Sequence, residues 1–146
     1  MRLIAVLCFG ALLGCSPISA QTWASAGEND RAWFDGDTKS ISKHRLGIKM
    51  WLRATYREPQ ESKTLHPTKY VKQMYQSTLS LLVFDCLERT LGTLQVVEYS
   101  GPDGAGETVA SWNRPTPTMT DVVPGSLGSS WLDAACARAR KLHLVK

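Results

Sequence analysis

The sequence predicts an α+β domain in which an antiparallel sheet of about five or six strands is packed by a C-terminal helix. Three observations carry this prediction. The middle of the chain alternates apolar and polar residues with a period of two, which is typical of half-buried strands. Most links between these segments have the length and composition of turns, as in antiparallel sheets. The last segment instead repeats apolar residues every three to four positions, which is typical of an amphipathic helix.

The first twenty residues have the layout of an export signal. Arg2 is their only charged residue, the run from Leu3 to Leu13 is apolar, and the small residues of GCSPISAQT follow. As a helix this run spans about 16 Å, against about 30 Å for a bilayer core, so it is too short to be a membrane anchor. We therefore predict a signal peptide over residues 1–20 and a single exported domain over residues 21–146.

Two cleavage sites are consistent with this leader. Signal peptidase I would cut after Ala20. Lipoprotein processing would instead cut before Cys15, with Leu-Leu-Gly-Cys as the lipobox, and would attach lipid to Cys15. Either cut removes Cys8 and leaves Cys86 and Cys136 as the two thiols of the exported chain.

Three strands are predicted up to residue 57. RAWFD (31–35) and KSISKH (39–44) flank GDT, a turn by composition, which suggests a hairpin. LGIKMWLRATYR (46–57) alternates over its whole length and is the clearest strand of the chain.

A loop and three further strands follow. REPQESKTLHPTK (57–69) is polar and twice interrupted by proline, so we predict an exposed loop. MYQSTLSLLVFDC (74–86) and ERTLGTLQVVEYS (88–100) are rich in β-prone side chains. GPDGAGE (101–107) is a turn by composition, after which TVASW (108–112) is expected to pair back as another strand.

The C-terminal helix is predicted from residue 127 onward. Its apolar side carries Leu127, Trp131, Ala134 and Ala135, with Cys136 on a neighbouring stripe. The residue before it, a serine, is a suitable N-cap, and basic residues near its end suit the helix dipole; these are Ser126, Arg138, Arg140 and Lys141.

The two remaining cysteines are predicted to form a disulfide that ties the helix to the sheet. Cys86 ends an apolar strand, Cys136 lies on the buried side of the helix, and an exported chain meets an oxidising compartment. The bond would close a loop of about 51 residues and contribute about 4 kcal/mol on the chain-entropy model. A reactive thiol or a metal ligand fits less well, because there is no C-x-x-C and neither cysteine has a histidine at ligand spacing.

The outward face of strand 46–57 carries a row of cationic side chains with one aromatic among them. A sulfated glycan, an acidic protein segment or lipopolysaccharide phosphate would suit this row, and tryptophan would stack on a sugar or an arginine. The alternative is a solvated sheet face, which is the usual state of antiparallel sheets. The predicted ligand-binding residues are Arg45, Lys49, Trp51, Arg53 and Arg57.

The overall charge is a weak guide to partners. Removal of the leader would lower the formal net charge from +4 to +3, because Arg2 is its only charged residue. A charge this small, in an exported protein, argues against nucleic acid as the partner.

Catalytic and metal-binding patterns are weak, so we predict a protein that is not an enzyme and that uses no cofactor. His44, His66 and His143 have no metal spacing to one another. Asp35-Gly36-Asp37 departs from a calcium loop and is better explained as a turn. Ser126 lacks the G-x-S-x-G context, and a triad of His66, Asp85 and a serine would need a proximity that sequence does not show.

Several blocks together resemble the surface-adhesin protein E family. They are RAWFDGDTKSI, GIKMWLRATY, YQSTLSLLVFDCLERT, YS, GETVASW and VVPGSLGSSWLDAAC, in the family's order, over about residues 31–136. The matching positions are framework residues: Asp37, Ser40, Ile41, Trp51, Cys86, Pro124, Gly125, Ser126 and Cys136. Ile48 and Met50 replace family valines, and the segments 57–69 and 113–120 match nothing in the pattern.

The resemblance implies an antiparallel sheet packed by a C-terminal helix with a helix-to-sheet disulfide. It also implies export to the periplasm or the outer-membrane surface of a Gram-negative bacterium, and attachment to host matrix proteins such as vitronectin and laminin. A protein or an anionic glycan would then be the partner. Apart from the resemblance, the lipobox predicts a lipid on Cys15 as the only contact with the membrane, and an exposed strand edge would allow a homodimer. The alternative is a periplasmic structural or housekeeping protein that shares the fold without adhesion.

Overall fold

One antiparallel sheet, one α-helix and a single turn of 3-10 helix (Pro102–Gly104) lie within residues 22–63 and 72–145, the part of the chain that the computed structural model describes. The predicted leader, including Cys15, lies outside these residues. The strands are β1 (Trp23–Glu28), β2 (Ala32–Asp37), β3 (Ser42–His44), β4 (Gly47–Glu61), β5 (Met74–Asp85), β6 (Thr90–Tyr99), β7 (Thr108–Asn113) and β8 (Thr120–Asp121); the helix is α1 (Leu127–Lys141).

The sheet is close to a simple meander. Its strand order is β1-β2-β4-β5-β6-β7, with β3 paired to β4 and β8 paired to β6, and every pairing is antiparallel. Short links suffice because antiparallel neighbours need no crossover. The predicted fold class is therefore confirmed, with six strands in the continuous path and two short additions.

Strand β4 shows why the alternation was informative. Ile48, Met50, Leu52 and Ala54 are each 5% exposed or less, and all but the last belong to the core cluster that includes α1. The residues between them, from Lys49 to Arg53, are only partly buried on the opposite face. A period of two places alternate side chains on opposite faces of the sheet, as observed.

The hairpin predicted over residues 31–44 is wrong. Strands β2 and β3 do not pair with each other; both pair with β4, through Gly36 opposite Leu52 and Ser42 opposite Lys49. The intervening turn is closed by the Ser40 N–H, which donates to the Asp37 carbonyl at 3.0 Å. A turn-forming composition predicts where a strand ends, but it does not predict the direction in which the chain continues. Here the chain continues along the same edge of β4 and forms β3.

The loop predicted over residues 57–69 is wrong in its first part. Strand β4 continues to Glu61, with Gln60 opposite Tyr75 of β5. Its register is interrupted between Thr55 and Gln60, and Pro59 lies within that interruption, where no ladder hydrogen bond is required of it. The rest of the predicted loop lies mostly outside the described residues.

Helix α1 packs on one face of the sheet, which we call the inner face. Leu132, Ala135, Cys136 and Ala139 are at most 3% exposed and complete the core cluster. The predicted N-cap is confirmed, since the Ser126 hydroxyl accepts from a backbone N–H in the first turn at 3.2 Å.

The predicted disulfide is also confirmed. Cys86 and Cys136 are bonded, with their Cα atoms 5.8 Å apart. A second link joins the helix to β1, because the Trp131 indole N–H donates to the Ala26 carbonyl at 2.9 Å. The helix is therefore fixed to the sheet covalently at one place and by a hydrogen bond at another.

Candidate functional site

The face of the sheet opposite α1, here called the outer face, carries the cationic row of β4. Its members do not share one environment. Each is placed by β4 or, for Arg45, by the turn before it, but the neighbouring strands and loops supply different partners.

Arg53 is a structural cation. Its Nη2 lies 2.8 Å from Asp35 Oδ2 and 3.6 Å from Asp103 Oδ1, and its guanidinium carbon lies 4.8 Å from the ring centroid of Trp23. The side chain is only 16% exposed. Two carboxylates and an aromatic ring thus enclose one cation and join three strands and a loop, which leaves little of this charge for a ligand.

Arg57 repeats the same arrangement nearer the surface. Its Nη2 lies 2.7 Å from Glu28 Oε2, and its guanidinium carbon lies 4.1 Å from the ring centroid of Trp33. The Arg57 and Glu28 side chains are 39% and 61% exposed. Water therefore screens this ion pair, and Arg57 links β1 to β4 more weakly than Arg53 does.

Among the described residues, Arg45 is bound only by neutral acceptors. Its Nη2 donates to the Pro115 carbonyl at 3.3 Å and to the Thr116 hydroxyl at 3.1 Å. No carboxylate in this part of the chain therefore neutralises its charge. Burial, followed by the charges of Arg45 and Lys49, lowers the pKa of the neighbouring His44.

Lys49 and Trp51 occupy the open middle of the outer face. Lys49 forms no ion pair with the described residues, and its β5 neighbour is the aliphatic Val83. Trp51 is paired with Leu81 of β5 and is partly buried. Leu81 and two further half-buried side chains share the outer face with them, and we call this set of five residues the outer-face trough: Lys49, Trp51, Leu79, Leu81 and Val97.

Two loops bound this trough. At one end, the backbone of Gly104 lies against Leu79, since a Cβ at residue 104 would be 3.6 Å from Leu79 Cδ1. At the other end, the segment before β8 crosses β6, and a Cβ at Gly92 would be only 2.9 Å from Met119 Sδ. Both loops thus pack closely on the sheet, one at each end of the trough.

Two of the residues considered above for catalysis have structural roles in the fold. Within residues 22–63 and 72–145, no three His, Cys, Asp or Glu side chains lie together as a metal site. Ser126 serves as the helix cap, and Asp85 Oδ1 accepts from the N–H groups of Leu87 and Glu88 in the turn after β5. The third residue of the imagined triad, His66, lies outside the described residues.

A second concave feature lies on the inner face. A groove of about 330 Å³ runs between α1 and the strands β1 and β2. Small side chains leave it open, and its floor includes Ile41, Met50 and Trp131. Unlike the outer-face trough, it is lined by no charged residue.

The sequence did not reveal the partners that neutralise Arg53 and Arg57. Trp23 and Glu28 belong to β1, a strand that was not predicted because WASAGE consists mostly of small residues without alternation. Asp103 lies in a turn 50 residues after Arg53. The only local signal was the abundance of tryptophan near arginine-bearing strands, which does not specify pairs.

The comparisons with known proteins identify a family. Residues 23–137 match the family model described as surface-adhesin protein E. The match starts at the first residue of β1 and ends one residue after Cys136, so it includes all eight described strands and both half-cystines. No curated protein matches the chain significantly. Within the described ranges, no helix has the length and apolarity needed to cross a membrane.

Proposed function

Because the chain belongs to the surface-adhesin protein E family, we propose that it is an exported binding module of the bacterial cell envelope. Its ligands would be host matrix proteins, such as vitronectin and laminin, or other anionic molecules. The observation that carries the proposal is the outer-face trough, where half-buried aliphatic and aromatic side chains lie beside cations that no carboxylate of the described residues neutralises.

Binding would rest on surface complementarity. Trp51 and Leu81 offer apolar area, and aromatic side chains are prominent among residues that dominate binding energies. Lys49 and Arg45 would meet carboxylates or sulfates of the ligand. Arg53 and Arg57 would contribute indirectly, by holding the strands beneath the trough.

This function requires display at the outer surface. A lipid on Cys15 would tether the domain there, whereas cleavage after Ala20 would release it. A protein confined to the periplasm would instead have the structural or housekeeping role.

The first test is binding of the purified mature protein to immobilised vitronectin and laminin, measured by surface plasmon resonance at increasing salt. We expect binding that weakens with ionic strength, because charges on an exposed face are screened over about 8–10 Å at physiological salt. Absence of binding to either ligand at low salt would contradict the adhesin proposal and favour the periplasmic role.

The second test locates the site. Lys49→Gln and Trp51→Ala are each expected to weaken binding about tenfold or more, as truncation of a central contact does. Lys141→Gln removes one exposed charge from the end of α1, on the other side of the sheet, and is the matched control. If ligand binding survives both trough substitutions, the trough is not the site.

A further inference from the structure

The two sulfurs of the disulfide differ in their access from outside. Cys136 is 3% exposed and belongs to the core cluster under α1, whereas Cys86 is partly exposed and only packs against that cluster. Access is one of the factors that set the rate at which a thiolate attacks a disulfide and the sulfur that it attacks. In the folded protein, a reagent therefore reaches the bond from the Cys86 side.

A pocket of about 320 Å³ opens at Cys86. A water molecule takes about 30 Å³ of the liquid, so this space admits the side chain of a small thiol. Cys136 does not line the pocket; the lining residues are Gly47, Asp85, Cys86, Leu87, Arg140 and Val145. The more exposed half-cystine and the space for an incoming thiol therefore lie together.

Backbone contacts fix the walls of this pocket. In the turn after β5, Asp85 Oδ1 accepts from the N–H groups of Leu87 and Glu88, at 2.9 and 3.1 Å. Gly47, at the start of β4, has a φ of +131° and lies so close to β5 that a Cβ there would collide with the Phe84 carbonyl oxygen. The turn and the strand start that line the pocket are therefore held in place.

Leu87 offers a contact to a protein that carries a thiol. Its side chain is 85% exposed, more than any other large apolar side chain in residues 22–63 and 72–145, and it directly follows Cys86 in the chain. Burial of apolar surface drives most protein association, so such a protein would gain affinity by covering Leu87 as it approaches Cys86. Asp85 and Arg140 bring opposite charges to the pocket, so it does not select strongly for an anionic or a cationic thiol.

We propose that Cys86 is the sulfur through which the folded protein exchanges with external thiols, either small thiols or those of a dithiol oxidoreductase. The incoming thiolate attacks Cys86 Sγ, an S–S bond forms between them, and Cys136 leaves with the electron pair of the broken bond as a thiolate. Oxidation of the folded dithiol passes through the same mixed disulfide in reverse. The Cys86 thiolate attacks the disulfide of the oxidant and expels one of its thiolates, and Cys136 then displaces the other.

The burial of Cys136 makes the mixed disulfide short-lived. Its thiolate forms in an apolar core, where an unpaired charge is costly. It therefore takes up a proton from water, or attacks Cys86 again and expels the external thiol. When a second external thiolate attacks the outer sulfur of the mixed disulfide, Cys86 leaves as a thiolate and reduction is complete. Helix α1 then stays attached through core packing and the hydrogen bond from Trp131 to Ala26.

The first test compares the two thiols one at a time. Cys136→Ser and Cys86→Ser of the mature protein each retain one thiol, and the gain of one glutathione from oxidised glutathione is followed by intact mass. We expect the Cys86 thiol to react at least about tenfold faster, since an opening step of only about 1.4 kcal/mol before reaction at Cys136 gives that ratio. Equal rates, or a faster reaction at Cys136, in variants whose near-ultraviolet circular dichroism shows a folded core, would overturn the proposal.

The second measurement needs no variant. Reduction of the wild-type disulfide by dithiothreitol is followed by alkylation and mass at urea concentrations below the unfolding transition. Direct attack predicts a rate that is proportional to the dithiothreitol concentration and nearly independent of urea. A rate that does not depend on dithiothreitol, or that rises with urea as steeply as global unfolding, would mean that the bond is reached only after unfolding and would refute exchange in the folded protein.

A third comparison separates small thiols from a protein thiol. Glutathione and a thioredoxin-type dithiol protein would each reduce Leu87→Gln and the control Val123→Gln, which changes an apolar side chain that is 69% exposed and outside the pocket. With Leu87→Gln we expect the rate of the dithiol protein to fall at least about fivefold, as the loss of about 1 kcal/mol does, and the rate of glutathione to stay the same. An unchanged rate of the dithiol protein would rule out docking on Leu87. The outer-face trough takes no part in this chemistry, so the two proposals fail independently.

Discussion

Replacing Arg53 by methionine should destabilise the domain far more than the same replacement at Arg57. The Arg53 and Asp35 side chains are 16% and 24% exposed, whereas those of Arg57 and Glu28 are 39% and 61% exposed. Methionine keeps much of the aliphatic stem and removes the guanidinium, so the comparison measures the ion pair together with the stacking on tryptophan at each site.

The magnitudes follow from this exposure. Removing one partner of a fully buried pair costs about 3–5 kcal/mol, while an exposed pair contributes about 0–1 kcal/mol. Asp35 is mostly covered, so an unpaired carboxylate there should cost about 2–3 kcal/mol, and the lost stacking on Trp23 adds about 0.5–1 kcal/mol. For Arg57→Met we expect a loss below about 1 kcal/mol.

Urea unfolding monitored by tryptophan fluorescence would measure both losses, provided that the denaturant slope stays constant. The double variant Arg53→Met with Asp35→Asn should recover part of the loss, because it also removes the orphaned charge. Equal destabilisation by Arg53→Met and Arg57→Met would refute the assignment of Arg53 as the structural cation.

Three further predictions concern the stability of the folded domain. Replacing both Cys86 and Cys136 by serine should lower the free energy of unfolding by about 4 kcal/mol for a loop of this length, and a reductant should have the same effect on the wild type but none on the variant. Ser126→Ala should cost about 1 kcal/mol in urea unfolding through the lost helix cap, while Ser130→Ala, one turn later on the exposed side, should cost less. Spectrophotometric titration should show Tyr75 ionising near pH 12. Because its pKa in the folded state lies above the unfolded value of about 10, the free energy of unfolding should fall as pH rises from about 10 to 12. Ionisation of all tyrosines near pH 10 would contradict this.

The sequence predicted what depends on local periodicity. Strand β4 alternates over most of its length because one face is buried under α1, and the helix period, the serine cap and the paired cysteines identified α1 and its link to the sheet. The sequence was a weaker guide to which strands pair with one another. A turn composition separates β2 from β3 and predicted a hairpin, but both strands pair with the long strand β4.

The candidate site shows the same division. Alternation placed Lys49, Trp51 and Arg53 on one face, but it gave no information about how their surroundings differ. Whether a charge is available to a ligand depends on carboxylates brought from other strands, and Asp35 is 18 residues from Arg53 in the chain. Such long-range neutralisation leaves no periodic signal.

Adhesion of intact cells to vitronectin-coated and laminin-coated surfaces is the most direct test of the proposed adhesin function. The cells would carry the wild-type chain, a deletion of it, the Lys49→Gln/Trp51→Ala variant, or the control Lys141→Gln, each at matched protein levels. We predict that cells with the deletion and cells with the trough variant lose adhesion to the same extent, while cells with Lys141→Gln adhere like the wild type. Unchanged adhesion after deletion would contradict the adhesin function, and full adhesion by the trough variant would contradict the site.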